Sequence, residues 1–163
     1  MNKTLKIHMF LLLCQVYTLS YAIDYQYKEV KDFDVLSSFK SIEEFEANYG
    51  KYVQDCLDNT YGGTGGTRCF IGYEMWDREL NIYYKKLYSQ LDKNGKQLLK
   101  KSQKAWLKER DLSIDFVSFL LDKKYTEPGT MYLLMRAGDA DSMITPIVKQ
   151  RALMLKKWFE LSK

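Results

Sequence analysis

The chain has 163 residues, 46% of them hydrophobic and 28% charged, with a net charge of +4. That length suits a single domain with a real core. So small an excess of positive charge gives no ground by itself for a nucleic-acid partner.

At the amino terminus Lys3, Lys6 and His8 precede an apolar run from Met9 to Cys14 that continues through Val16 to Leu19. Ser20-Tyr21-Ala22 then places small residues where a signal peptidase reads them. Residues 1–22 are expected to be a secretory signal cleaved at about Ala22. Gln15, Thr18 and Ser20 interrupt a run already short of the ~20 apolar residues a membrane anchor needs. The expectation is a periplasmic or secreted protein that is not an integral membrane protein.

Cleavage removes two lysines and no acid, lowering the net charge from +4 to +2. It also removes His8, the one histidine, and Cys14. Without histidine there is no Ser-His or Cys-His nucleophile pair, no histidine base and no imidazole metal site. No cofactor or metal is expected. Cys56 and Cys69 remain, bound for an oxidising compartment, and are expected to form one disulfide.

Residues 23–40, with Tyr25, Tyr27, Phe33 and Val35, form an amino-terminal arm that reads equally as a short strand, an extended arm or a mobile leader. The single domain proper is expected over 41–163. Ser41-Ile42-Glu43-Glu44 is a capping box that predicts a helix start, and Ile42, Phe45, Tyr49, Tyr52, Val53 and Cys56 follow at helical spacing. Carboxylates at Glu43, Glu44 and Glu46 are accounted for by the helix dipole rather than by catalysis.

Between the cysteines, four of the nine glycines crowd into residues 62–66. No Lys-Ser/Thr pair follows and no strand precedes, so this is not a phosphate cradle. It reads as a loop allowed to turn back so that the thiols meet, and closing about fourteen residues is worth roughly 3 kcal/mol.

A helix is predicted from about Cys69 to Leu91, with Leu80, Tyr84, Leu87 and Leu91 on one stripe. Asp92-Lys93-Asn94-Gly95 reads as a tight reversal with positive φ. The next helix, with Leu99, Trp106 and Leu107, then folds back antiparallel. That register sets Asp77 against Arg110, Tyr84 against Gln103, and Leu80 or Asn81 against Trp106. An ion pair and an amide–hydroxyl bond would make a polar seam that fixes register. Glu127-Pro128-Gly129 punctuates the chain, and Thr145-Pro146 reads as N-cap and first residue of a last helix whose face carries Ile147, Arg151, Met154, Leu155 and Trp158. The fold class is all-α, a small helical bundle built on an antiparallel helix hairpin and stapled by one disulfide.

Cys56 and Cys69, then Asp77, Glu79, Leu80, Asn81 and Tyr84 in the pattern D-x-E-L-N-x-x-Y, then Gln103, Trp106, Arg110 and Asp111 in Q-x-x-W-x-x-x-R-D, resemble the LprI-type lysozyme-inhibitor domain family. The resemblance spans roughly residues 50–155. It implies a small exported helical protein with a disulfide, and a protein partner such as lysozyme or another peptidoglycan hydrolase. Many relatives carry a further cysteine pair, where this chain has Ser113 and a position near Asp139.

Lys96, Lys100, Lys104 and Lys108 recur every fourth position as a basic ridge, without the interleaved aromatics that stack bases; no nucleic acid is expected. The leading function is a non-enzymatic inhibitor that occludes a hydrolase cleft. A general cell-envelope binding or immunity module is the alternative, and a histidine-free carboxylate hydrolase lacks the paired acids it needs. Against a basic animal lysozyme, an inhibitor of this composition would have to concentrate acids at Glu43, Glu44 and Glu46 or around Asp139 and Asp141.

Overall fold

The computed structural model describes residues 25–60 and 63–163; the expected signal and its cleavage point at Ala22 lie outside them. Two 3₁₀ turns, Val30–Asp32 and Leu36–Ser38, precede α1 (Ile42–Asn59), the single turn α2 (Gly63–Gly66) and a 3₁₀ turn Thr67–Cys69. Three long helices follow: α3 (Gly72–Gln90), α4 (Lys93–Lys124) and α5 (Thr130–Leu161). Among the described residues there is no strand, so the all-α expectation holds.

α1 begins where the capping box predicted. Ser41 Oγ accepts from the Glu44 amide at 3.2 Å, but the Glu44 carboxylate reaches back to the Lys40 amide, one residue beyond the expected donor. Cys56, on the buried face of α1, is joined to Cys69 with their Cα atoms 5.6 Å apart. The loop between them does close as expected, without positive φ at any of its described glycines; Gly62 lies outside the described residues. The only positive-φ glycine among the described residues is Gly129, and Gly66 has ordinary helical angles. What Gly66 supplies is room, because a Cβ there would lie 2.7 Å from Leu134 Cδ1 of α5. At Gly65 the carbonyl accepts from the Tyr27 hydroxyl at 3.0 Å.

The helix arrangement corrects the expected hairpin. α4 does reverse direction after α3, with Lys96 and Lys100 over the Tyr88 ring, yet α3 packs chiefly along α5 and only slightly against α4. α3 and α5 run parallel: Gly72 lies beside Asp141 and Thr145, Tyr83 beside Phe159, and Gln90 accepts from Ser162. The close antiparallel pair is α4 with α5. Asn94-Gly95 is not a positive-φ reversal either; both residues sit in the first turn of α4, whose N-cap Asp92 accepts from the Gly95 amide at 2.7 Å. Asp is a strong N-cap residue, and that competing chemistry explains the difference.

Likewise, the last helix does not start at Thr145-Pro146. It starts at Thr130, and Pro146 lies in its interior, where a proline costs ~3 kcal/mol. Packing of Val148, Ala152 and Leu155 beyond it and of Leu134 and Gly138 before it holds the helix together through that position. The core gathers Phe33, Phe45, Met75, Trp76, Leu80, Tyr83, Leu87 and Leu155, so the amino-terminal arm contributes to it through Phe33.

Candidate functional site

The motif residues are held by partners other than those the hairpin register implied. Asp77 does not bond Arg110. It accepts from Asn81 Nδ2 at 2.9 Å within α3, and Arg110 bonds Asp111 at 2.9 and 2.6 Å within α4. Burial works against the Arg110 charge, but the Asp111 bond and the fields of Tyr73, Asp111 and Asp77 outweigh it and raise its pKa. Tyr84 does not bond Gln103; it stacks on Tyr88 with ring centroids 6.0 Å apart. Gln103 Oε1 instead accepts from Arg151 Nε of α5 at 3.0 Å. Trp106 lies beside Arg110 and Arg151, and Leu80 is in the core. The expected pairings fail for one reason: α5, not α4, occupies most of the apolar face of α3.

Glu79 is almost fully buried at 1% exposure, and the unit around it escaped the sequence reading. Its Oε1 accepts from Arg78 Nε at 3.1 Å and pairs with Nη2 at 2.9 Å. The same guanidinium donates to the carbonyls of Val30, Phe33 and Asp34, each at 2.7 Å. Arg78 therefore clamps the amino-terminal arm to α3, its charge balanced by Glu79. The signal was an Arg-Glu pair inside a stretch whose neighbours Met75, Trp76 and Leu80 are apolar.

Of the acids suggested for contact with a basic enzyme, Glu43 is exposed, while Glu44, Glu46, Asp139 and Asp141 are engaged within the fold. Glu46 accepts from Lys149 at 2.7 and 2.8 Å and from Trp76 Nε1 at 3.2 Å. Beside it Tyr49 is pushed up to about 12, chiefly by burial. Asp139 accepts from Lys124 and Tyr125, which hold its carboxyl below the usual range. Asp141 accepts from the Tyr73 amide at 3.2 Å and from Thr145 Oγ1 at 2.9 Å, capping α3 from outside. On the lysine ridge, Lys96 and Lys100 cover Tyr88, while Lys104 and Lys108 are exposed.

The surface feature that stands out is at the far end of α4 and α5. Each has 32 residues against 19 in α3, and at 1.5 Å per residue the hairpin they form runs about 20 Å past the start of α3. It is closed by Lys124–Asp139 and Arg136–Asp122 ion pairs. Leu121 turns inward and is buried, but Leu112, Phe116, Phe119 and Leu120 follow at i, i+4, i+7 and i+8 and are 61%, 61%, 53% and 43% exposed. α5 adds Met131, Leu133 and Met135, also exposed. Helical periodicity places the four α4 side chains on the face opposite the one toward α5. Single exposed apolar residues are ordinary, whereas a run of this kind on a projecting element marks a contact surface.

No curated protein and no solved structure matches the chain. Among the described residues no helix is long and apolar enough to cross a membrane. The family model described as "Lysozyme inhibitor LprI" matches residues 56–151, more than half of the chain and inclusive of the projecting hairpin. From the first cysteine of the staple to the buried arginine of α5, the chain belongs to the LprI lysozyme-inhibitor family.

Proposed function

We propose that the protein is an exported, non-catalytic inhibitor of a lysozyme-type peptidoglycan hydrolase, and that the α4–α5 hairpin is the part that enters the enzyme's cleft. The observation that carries this reading is the outward row Leu112, Phe116, Phe119 and Leu120 on an element projecting from the bundle. Aromatic and aliphatic side chains presented together are what a concave partner desolvates, and a few such residues supply most of an interface's energy. Glu44, Glu46, Asp139 and Asp141 already serve caps and ion pairs. That leaves shape and apolar contact, rather than an acidic patch, as the basis of recognition.

Turbidity assays of cell-wall lysis by a chicken-type and a bacterial muramidase, with the protein in molar excess, test the reading. Slowed lysis by at least one enzyme, lost in Phe116→Ser/Phe119→Ser, is the expected result. Unchanged lysis by both, with the disulfide intact, overturns it. The low positive charge of the chain without residues 1–22, +2 after loss of two lysines from +4, favours a second reading in that event. The hairpin would then serve an envelope-binding or immunity module whose partner is not a basic lysozyme.

A further inference from the structure

At the end of the bundle away from the hairpin, the carboxyl ends of α3 and α5 and the first turns of α4 leave an open groove of about 410 Å³. Leu87, Leu91, Leu98, Leu99 and Leu161 line it, and none of its lining residues carries a charge. Its inner wall includes Ser102 and Trp158. Both touch Arg151: the Nη2 donates to Ser102 Oγ at 3.0 Å, and the guanidinium lies 5.2 Å from the Trp158 ring centroid.

Arg151 is an unusual group to find there. It is 4% exposed, its two hydrogen-bond acceptors, Gln103 and Ser102, are neutral, and among the described residues it forms no ion pair. Burial alone lowers its pKa. Two tryptophan faces and two neutral oxygens attract the cation but supply no counter-charge, and buried cations are ordinarily matched by an anion.

We propose that this groove binds a single-chain fatty acid. The acyl chain lies along the five leucines, and the carboxylate accepts from the Ser102 hydroxyl, whose oxygen stays the acceptor of Arg151. The hydroxyl has one proton to give and lone pairs to spare, so both bonds are satisfied at once. An anionic head in that position supplies the missing charge. A neutral head forgoes the attraction, and a cationic one is repelled. The site is separate from the hairpin and does not depend on lysozyme inhibition.

Calorimetric titration of the purified protein with dodecanoate, dodecanol and dodecyltrimethylammonium, all below micelle-forming concentrations, reads the proposal. Dodecanoate is expected to bind one per chain, about tenfold tighter than dodecanol, the difference that a hydrogen bond to a charged group supplies. The cation is expected not to bind. Leu98 and Leu161 are 59% and 77% exposed, so Leu98→Glu and Leu161→Glu leave the fold intact, and each should abolish dodecanoate binding. Ser102→Ala should erase most of the preference over dodecanol, while Phe116→Ser/Phe119→Ser should change nothing. Equal affinity for dodecanoate and dodecanol, or unaltered dodecanoate binding in Leu98→Glu, overturns the proposal.

Discussion

The two ends of this molecule are built on opposite plans. In the body, aromatic rings face inward and meet edge to face: Phe45 packs on Trp76 at 5.2 Å, and Phe33 on Tyr52 at 5.2 Å. Every buried side-chain nitrogen and oxygen among the described residues has a partner. In the hairpin the rings of Phe116 and Phe119 face solvent, stacked 6.4 Å apart, and the ion pairs that close it are exposed. Burial of apolar area is what stabilises a fold. A chain that keeps four large apolar side chains outside on one helix face therefore forgoes intramolecular stability at that end, and the same area becomes available to a partner. Substitutions in the buried interior of the body should alter folding, whereas those on the outer face of the hairpin should alter binding alone.

Removing the arm clamp is the largest expected break. Arg78→Ala leaves Glu79 buried without its cation and three carbonyls without their donor, and should cost about 3–5 kcal/mol in urea unfolding. A loss below about 1 kcal/mol would mean the arm is not part of the body's cooperative unit. The staple comes next. Cys56→Ala/Cys69→Ala should lower stability by roughly 3 kcal/mol, and non-reducing mass spectrometry of the parent should find no free thiol at either position.

On the hairpin the contrast sharpens. Phe116→Ser/Phe119→Ser should leave unfolding free energy within about 0.5 kcal/mol of the parent, yet weaken inhibition at least about tenfold. A large loss of stability in that variant would show the two ends are not separate in their energetics. The smallest effect concerns Asp139, whose folded pKa lies below its ordinary 3.8 because Lys124 and Tyr125 donate to it. A depressed carboxyl pKa contributes stability above the unfolded value and loses it as pH falls through the folded one. The parent should therefore melt slightly higher than Asp139→Asn at neutral pH, with the gap closing in acid. A gap that stays constant from neutral to acid pH would remove Asp139 from the hairpin's closure.

Local signals in the chain were reliable where one element decides its own geometry. The Ser41 cap, the apolar face from Phe45 to Cys56, the breaks near residues 91–92 and 127–129 and the pairing of two cysteines are all short-range or compositional, and the structure contains each of them. Asn94-Gly95 and Thr145-Pro146 misled because each dipeptide suits two backbone states. Asp92 as N-cap selected one, and packing on both sides of Pro146 selected the other.

What the sequence by itself determined was the helical class, the places where most helices stop, and the membership carried by the D-x-E-L-N and Q-x-x-W-x-x-x-R-D patterns. Periodicity states which face of a helix is apolar, but not which neighbour will cover it. Tertiary structure decided that α5 rather than α4 lies along α3, and so sent Gln103 to Arg151 and left Asp77 with Asn81. It also decided that the apolar stripe from Leu112 to Leu120 stays outside. That stripe has the same spacing as a core face, and only the absence of a covering helix among the described residues distinguishes the two.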